Sequence, residues 1–284
     1  MNEYGEFDHR ALALYGLDMV VEPYRETRLQ VIRSPTPQST FHPSTKFHWL
    51  LVQADENGDP LEGVEPVVDA KGGVIATVEL TIPASNYALV VQQLGADGSV
   101  VAEGRVTIAC KYVRRELRSL TDTDRTEFFE AMKVFYTITV EEGEATYGKA
   151  FSNYARVAAY HNSQASTTNN AFCYHNGLQF LPAHTAFNLV VERSLQMVNP
   201  RVSLPSWDFM VDADVLGTAW PTSEIFGPDM FGSALGKAEN SFQISDGWFA
   251  NISSIYDPKG DKFPSWVQAN RNPYGYITAL FNYQ

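Results

Sequence analysis

The sequence is short of cysteine and of positive charge, and each shortage excludes a class of protein. It has two cysteines, Cys110 and Cys173, among 284 residues. Two are too few for a disulfide framework, so they leave the redox compartment open. Lys and Arg number 21 against 33 Asp and Glu, a net charge of -12. Because phosphate binding needs clustered cations, we predict neither a nucleic acid nor an anionic membrane surface as a partner.

Long apolar runs are also lacking. No window approaches eighteen consecutive apolar residues, so we predict no membrane-spanning helix. The acidic start of the chain has no apolar segment typical of a signal peptide, and no feature assigns a compartment or a protein partner. The one dense basic run, residues 111–118, is interleaved with apolar residues and is interpreted as a solvated strand or helix edge with a few ion pairs.

Hydrophobic periodicity divides the chain into two parts. An apolar content of 44% indicates a globular protein. Short β-branched runs separated by Gly, Asn and Pro turns predict a small antiparallel β-sandwich-like module over residues 28–112, after an N-terminal segment of residues 1–27. Residues 113–284 are predicted to be mainly α-helical, which makes the fold class α+β. The expected strands cover residues 29–32, 47–52, 74–82, 87–91 and 100–108.

Three helical segments are predicted in the second part. Thr121 is a candidate N-cap for a helix whose buried stripe contains Phe128, Met132, Phe135 and Tyr136. Residues 141–160 are expected to form one helix that reaches towards His161. Pro182 lies where a first helical turn would tolerate its missing N–H, and residues 185–198 are expected to continue as a third helix. The chain after Pro200 is expected to be rich in loops.

Histidine is confined to the first two thirds of the chain, since none of the six follows His184. His175 and His184 are nine residues apart, which would put them on opposite faces of one continuous helix. Gly177 and Pro182 can break the chain between them, so that His161, His175 and His184 can face one point. Three neutral imidazoles suit Cu, Zn, Fe or Ni, and spacing does not choose among these metals.

The residues around these histidines resemble a known family. The elements concerned are Cys173-Tyr-His175, Phe180-Leu-Pro-Ala-His184, Glu192 and Leu204-Pro-Ser-Trp207-Asp208. In order and spacing they are similar to the first copper half-site of tyrosinases, catechol oxidases and haemocyanins, the type 3 dinuclear copper proteins. The similarity covers about residues 112–280.

The resemblance implies roles for single residues. His161, His175 and His184 would be the three ligands of the first copper. Cys173 would form a thioether to His175, as in fungal and molluscan members, and this link would fix the ring. Glu192 and Asp208 would be framework carboxylates. Trp207 is expected in the core. The substrates implied are dioxygen and a small phenol or catechol, with ortho-hydroxylation of the phenol or oxidation of the catechol to a quinone.

The sequence departs from the family pattern at two places. Thr185 stands where an arginine usually follows the third ligand, which removes a framework ion pair, with Glu192 or Asp208 as its candidate partner. The family's second set of three histidines has no counterpart after Ser245-Asp-Gly-Trp-Phe-Ala-Asn251. We therefore expect a copper domain over residues 113–284 that lacks the second half-site, is incomplete at its C-terminus as a fragment would be, and is inactive alone.

Three other interpretations stay open. The chain can be a noncatalytic protein that binds one metal ion or none, and it is an oxidoreductase only if a second copper site completes it. The strand module can have an adhesive or structural role of its own. A mononuclear zinc hydrolase is the weakest idea, because the chain has no His-Glu-x-x-His pair.

Overall fold

The computed structural model describes residues 1–5, 18–32, 41–165, 178–256 and 265–268. The chain divides into two compact units, residues 1–113 and residues 114–284. Within the described ranges, no helix combines the length and apolar character needed to cross a bilayer.

The described residues of the first unit form β-strands in two sheets. A five-stranded sheet has the order β1-β7-β6-β3-β4, and a two-stranded sheet pairs β2 with β5. All neighbours are antiparallel except β1 and β7, which are parallel. The strands are β1 (Met19–Val21), β2 (Thr27–Gln30), β3 (Lys46–Ala54), β4 (Val68–Gly72), β5 (Ile75–Val78), β6 (Asn86–Leu94) and β7 (Val100–Cys110).

Alternating apolar residues position one face of each sheet on a common core. On β3, Phe47, Trp49 and Leu51 are buried while His48 and Leu50 between them are partly exposed. Residues from both sheets share this core: Val21, Leu29, Phe47, Trp49, Leu51, Val78, Leu80, Tyr87, Leu89, Ile108 and Cys110. Burial raises the pKa of the Cys110 thiol to about 11, so this cysteine acts as a small core residue.

A polar row crosses the other face of the five-stranded sheet. His48 lies opposite Gln92 and Lys71, and Gln92 lies opposite Glu103. The ring of His48 has an acceptor at each nitrogen, with Asp69 Oδ1 2.6 Å from Nε2 and Gln92 Oε1 3.1 Å from Nδ1. Because both acceptors favour the doubly protonated ring, the hydrogen bonds that His48 donates to Asp69 and to Gln92 raise its pKa above 6.5, with the bond to Asp69 as the larger cause.

The first unit is therefore expected to lose stability as the pH rises. A raised pKa means that the contribution of His48 is full below its unfolded value of 6.5 and disappears above its folded value. Since Asp69 is exposed, the loss should be below about 1 kcal/mol. Urea unfolding followed by circular dichroism at pH 6 and pH 9 measures it. The loss should vanish in His48→Gln and persist in His42→Gln; equal pH dependence in both variants would contradict the assignment.

The described residues of the second unit form five α-helices with short 3-10 turns and a pair of antiparallel strands. The 3-10 turns are Leu117–Ser119, Gly217–Thr222, Glu224–Phe226 and Ala238–Asn240. The strands β8 (Ser253–Tyr256) and β9 (Ser265–Gln268) are antiparallel. The helices are α1 (Asp122–Thr137), α2 (Val140–Tyr147), α3 (Tyr154–Ala165), α4 (Phe180–Val198) and α5 (Phe209–Leu216).

Helix α1 is the centre of the second core. Thr121 caps it as predicted, because its Oγ1 accepts a hydrogen bond from the Asp124 amide at 3.2 Å. Phe128 and Phe135 are buried, as is Phe129, whose ring stacks on Trp248 at a centroid distance of 5.6 Å. Leu195 from α4 is fully buried in the same cluster, which fixes α4 against α1.

The prediction of one helix over residues 141–160 is wrong, since two helices occupy this region. Helix α2 begins at a capping box between Thr139 and Glu142 and ends at Gly148. Gly148 has φ +108°, a conformation that suits glycine and cannot continue a helix. Helix α3 then starts at Tyr154 and carries His161.

Gly143 in α2 is a position where any side chain would collide with a neighbour. A Cβ built there would lie 2.1 Å from the Phe151 ring. Gly143→Ala is expected to reduce stability by about 1–2 kcal/mol, because overpacking outweighs the gain of roughly 1 kcal/mol in helix propensity. Urea unfolding measures it, and Ala145→Gly at an exposed position of α2 calibrates the propensity. A Gly143→Ala variant more stable than the parent would refute this packing.

Candidate metal centre

Two of the three predicted ligands meet in the second unit. His161 lies on α3 and His184 lies in the first turns of α4, and both side chains are partly buried. Their Nε2 atoms face each other at 3.4 Å, and the ring planes are inclined at 72°. The two histidines thus lie close enough for both rings to reach one point.

The orientation of His184 is set by the backbone of its own helix. Its Nδ1 lies 2.7 Å from the carbonyl oxygen of Phe180, one turn earlier. A carbonyl oxygen only accepts, so Nδ1 carries the hydrogen and donates it, and in the neutral ring Nε2 keeps its lone pair. A ring nitrogen fixed in this way is typical of a metal ligand, since the second nitrogen of a ligating histidine usually donates to a carbonyl or carboxylate.

The separation of the two nitrogens favours a shared metal ion over a direct hydrogen bond. At 3.4 Å the pair is longer than the ordinary range for hydrogen bonds between ring nitrogens and their acceptors. Two imidazole ligands at about 2.0–2.1 Å from one ion, near the tetrahedral angle, would have their nitrogens about 3.4 Å apart. The pair therefore fits one metal ion, and its chemistry admits copper among other first-row metals.

The remaining predicted site residues, His175 and Cys173, lie outside the described residues. In the ranges that are described, no group of three or more His, Cys, Asp and Glu side chains is arranged to hold a metal ion.

Aromatic rings surround the imidazole pair. The ring of Phe180 is tilted by 37° over His184 at a centroid distance of 4.3 Å. The ring of Phe187 lies 5.3 Å from that of His161 and 6.3 Å from that of His184, and it also contacts Tyr160 at 5.5 Å. These apolar walls restrict how far either imidazole can rotate.

An ion pair with a buried carboxylate anchors α4 two turns after His184. Glu192 is 4% exposed, and its oxygens accept from Arg114 at Nε (2.9 Å) and at a terminal nitrogen (2.5 Å). Glu192 Oε1 also accepts from the Leu204 amide at 2.9 Å. The hydrogen bonds to Glu192 raise the pKa of Arg114. Thr185 stands where the family usually has an arginine that pairs with a framework carboxylate. Here Arg114, from outside the motif, provides the cation that pairs with Glu192.

The ion pairs expected in residues 111–118 are present, but their acidic partners are buried and Arg118 is not a solvated residue. Arg114 pairs with buried Glu192, and Arg118 pairs with buried Asp212 at 2.9 Å. Arg118 is also held by Glu116, whose carboxylate accepts from both the side chain and the amide of Arg118. These cations join parts of the second unit, although the Arg114 side chain stays 43% exposed.

The residues around Trp207 differ from prediction in two ways. Trp207 is 40% exposed, so the expectation of a core residue is wrong. Its indole N–H is used to hold Asp212, which also accepts from Ser223 at 3.0 Å. Asp208 caps α5 by accepting from the Met210 amide at 3.2 Å, whereas the buried partner of Arg118 is Asp212.

Comparison with known proteins supports one family. Residues 151–277, which contain both described histidines of the pair, match the family model of the common central domain of tyrosinase. This part of the chain is similar to tyrosinases. Copper is the cofactor of this family, and the imidazole pair is a donor set that suits it.

Curated relatives of the family are similar over part of their length. A tyrosinase of Streptomyces lincolnensis is 29% identical over 126 residues, which are 42% of this chain and 43% of the relative. A tyrosinase of Streptomyces antibioticus is 35% identical over 94 residues, covering 30% and 32%. Grixazone synthase of Streptomyces griseus is 35% identical over 86 residues, covering 30% and 27%. The chain spans less than half the length of these relatives.

Sequence reasoning missed several residues that shape this tyrosinase-like site. The spacing of charged residues gives no signal that Arg114 pairs with Glu192, because 78 positions separate them. Asp212 follows Asp208 by one helical turn, and only the fold shows which of the two is buried. Phe187 could have been found, since it lies one turn after His184 on the same predicted helix.

Proposed function

We propose that His161, His175 and His184 hold one copper ion, and that the chain serves a tyrosinase-like oxidation of phenols or catechols by dioxygen. The observation that carries this proposal is the pair of Nε2 atoms 3.4 Å apart within a tyrosinase central domain. The bound copper would supply one-electron chemistry with dioxygen. The phenolic substrate class rests on similarity to the family and on the printed names of the relatives.

The protein's own part in this function is to hold the ligands in place. The Phe180 carbonyl keeps His184 with Nε2 available for the metal. The Arg114–Glu192 pair and buried Leu195 fix the helix that carries His184. We propose that Cys173 forms a thioether to His175 and that this link fixes the third ring in the same sense.

The count of histidines limits the site to one copper in our proposal. Two coppers with three imidazoles each need six histidines, and the sequence has six in all. Three of these precede residue 49. His42 contacts Ser44, and His48 is engaged by Asp69 and Gln92. We therefore propose that residues 113–284 form a copper domain with one half-site, preceded by a β-sandwich-like module over residues 28–112, and that this polypeptide alone does not oxidise catechol.

Copper titration of the whole chain tests the proposal. We expect one copper per chain, measured by elemental analysis after dialysis, and no oxidation of catechol by the loaded protein. Absence of tightly bound copper would refute the metal site. Two bound coppers together with catechol oxidation would refute the single half-site and support a complete dinuclear centre.

A further inference from the structure

Phe187 lies where the two helices that carry the histidines meet. It follows His184 by three residues on α4, so its ring projects from nearly the same face as the imidazole. Its centroid is 5.3 Å from that of His161 and 5.5 Å from that of Tyr160, both of which belong to α3. Phe187 therefore contacts the imidazole of the other helix more closely than that of its own helix, for which the distance is 6.3 Å.

The two histidines differ in how their rings are fixed. His184 has a hydrogen bond from Nδ1 to the Phe180 carbonyl and the Phe180 ring above it. His161 meets Phe187 with ring planes inclined at 65°, an edge-to-face arrangement that opposes rotation of the imidazole about its side-chain torsions. Rotation of His161 would move its Nε2 away from that of His184, since this atom lies at the end of the ring.

We infer that Phe187 is a positioning residue of the copper site. It holds His161 with Nε2 facing His184, and it thereby pre-organises two ligands before the metal arrives. Pre-organisation raises affinity because the bound geometry is already present in the free protein. This inference rests on the proposed copper site and assigns to Phe187 no contact with the metal or with substrate.

Three substitutions of Phe187 and one control distinguish a positioning role from simple packing. Phe187→Ala removes the ring, and Phe187→Leu keeps apolar volume but loses the flat ring that meets His161. Phe187→Tyr keeps the ring and should restore the behaviour of the parent chain. Leu189→Ala is the matched control, because Leu189 lies on the same helix and is 39% exposed.

The experiment measures copper affinity of the whole chain by competition with a chelator, together with the Cu(II) electron paramagnetic resonance spectrum. Phe187→Ala and Phe187→Leu are expected to bind copper about 10- to 100-fold more weakly, as when the groups that orient a ligand are lost, with altered hyperfine splitting. Phe187→Tyr and Leu189→Ala should match the parent. Parental affinity and an unchanged spectrum in both Phe187→Ala and Phe187→Leu would overturn the inference.

A crystal structure of metal-free Phe187→Leu supplies a result that does not depend on copper. The Nε2 atoms of His161 and His184 are expected to separate beyond the 3.4 Å of the parent chain. An unchanged pair would overturn the positioning role even if the chain binds no copper. Failure of the parent chain to bind copper would instead refute the proposed function, so the two failures are distinguishable.

Discussion

Replacing His184 with alanine is expected to weaken copper binding by more than about 100-fold, because loss of a ligand should exceed the 10- to 100-fold effect of losing a group that merely orients one. The Nε2 of His184 faces that of His161, and its Nδ1 is committed to the Phe180 carbonyl. The alanine side chain has no atom that could bind the metal in place of Nε2. Isothermal titration or chelator competition measures the change.

The fold should survive this substitution. Alanine has the highest helix propensity, and His184 is only partly buried. His42→Ala is the matched control, since His42 is exposed and lies in the first unit. Its copper binding should equal that of the parent chain. Equal losses in the two variants would show that copper binds unspecifically to histidine, and no loss in His184→Ala would remove this residue from the site.

Replacing Asp212 with alanine is expected to destabilise the second unit by about 2–4 kcal/mol, because a buried hydrogen-bonded carboxylate and its cation are separated. Asp212 is 5% exposed. It accepts from the indole of Trp207, from Ser223 and from Arg118. Without it these donors lose their common acceptor. Urea unfolding of the whole chain measures the loss, with Asp214→Ala on the exposed side of α5 as the control.

The stability that Asp212 contributes is expected to depend on pH. Burial alone would raise the pKa of Asp212, but the hydrogen bonds from Trp207 and Ser223 and the charge of Arg118 outweigh it and lower the pKa below 3.8. A lowered pKa means that the contribution is present above 3.8 and disappears as the pH falls through the folded value. The difference between parent and Asp212→Asn should therefore shrink below pH 3.8. A difference that stays constant would show that charge is not its cause.

The strands and helix ends that follow local chemistry could be predicted from the sequence. Alternation identified β3, and the cap at Thr121 identified the start of α1. Strand β4 was not predicted, because its sequence Val-Asp-Ala-Lys-Gly has no apolar alternation and lies at the edge of the sheet. The parallel pairing of β1 with β7 joins residues about ninety positions apart and leaves no local signal.

The candidate ligands were proposed from the sequence, whereas their supports were missed. His161 and His184 were chosen because a metal needs particular side chains at particular spacings. Their supports do not obey such rules. Arg114 acts through Glu192 only because the fold joins them, and Phe187 acts across two helices. Residues that orient the proposed ligands are therefore found from the structure, whereas candidate ligands can be proposed from the sequence.

The central claim is that one copper ion lies between His161 and His184, and anomalous diffraction at the copper edge from copper-loaded crystals tests it most directly. The account predicts one anomalous peak per chain, about 2.0–2.1 Å from the Nε2 atoms of both residues, with His175 as the third ligand. A chain whose copper peak lies elsewhere, or whose two Nε2 atoms both lack a bound metal at full loading, would contradict the account.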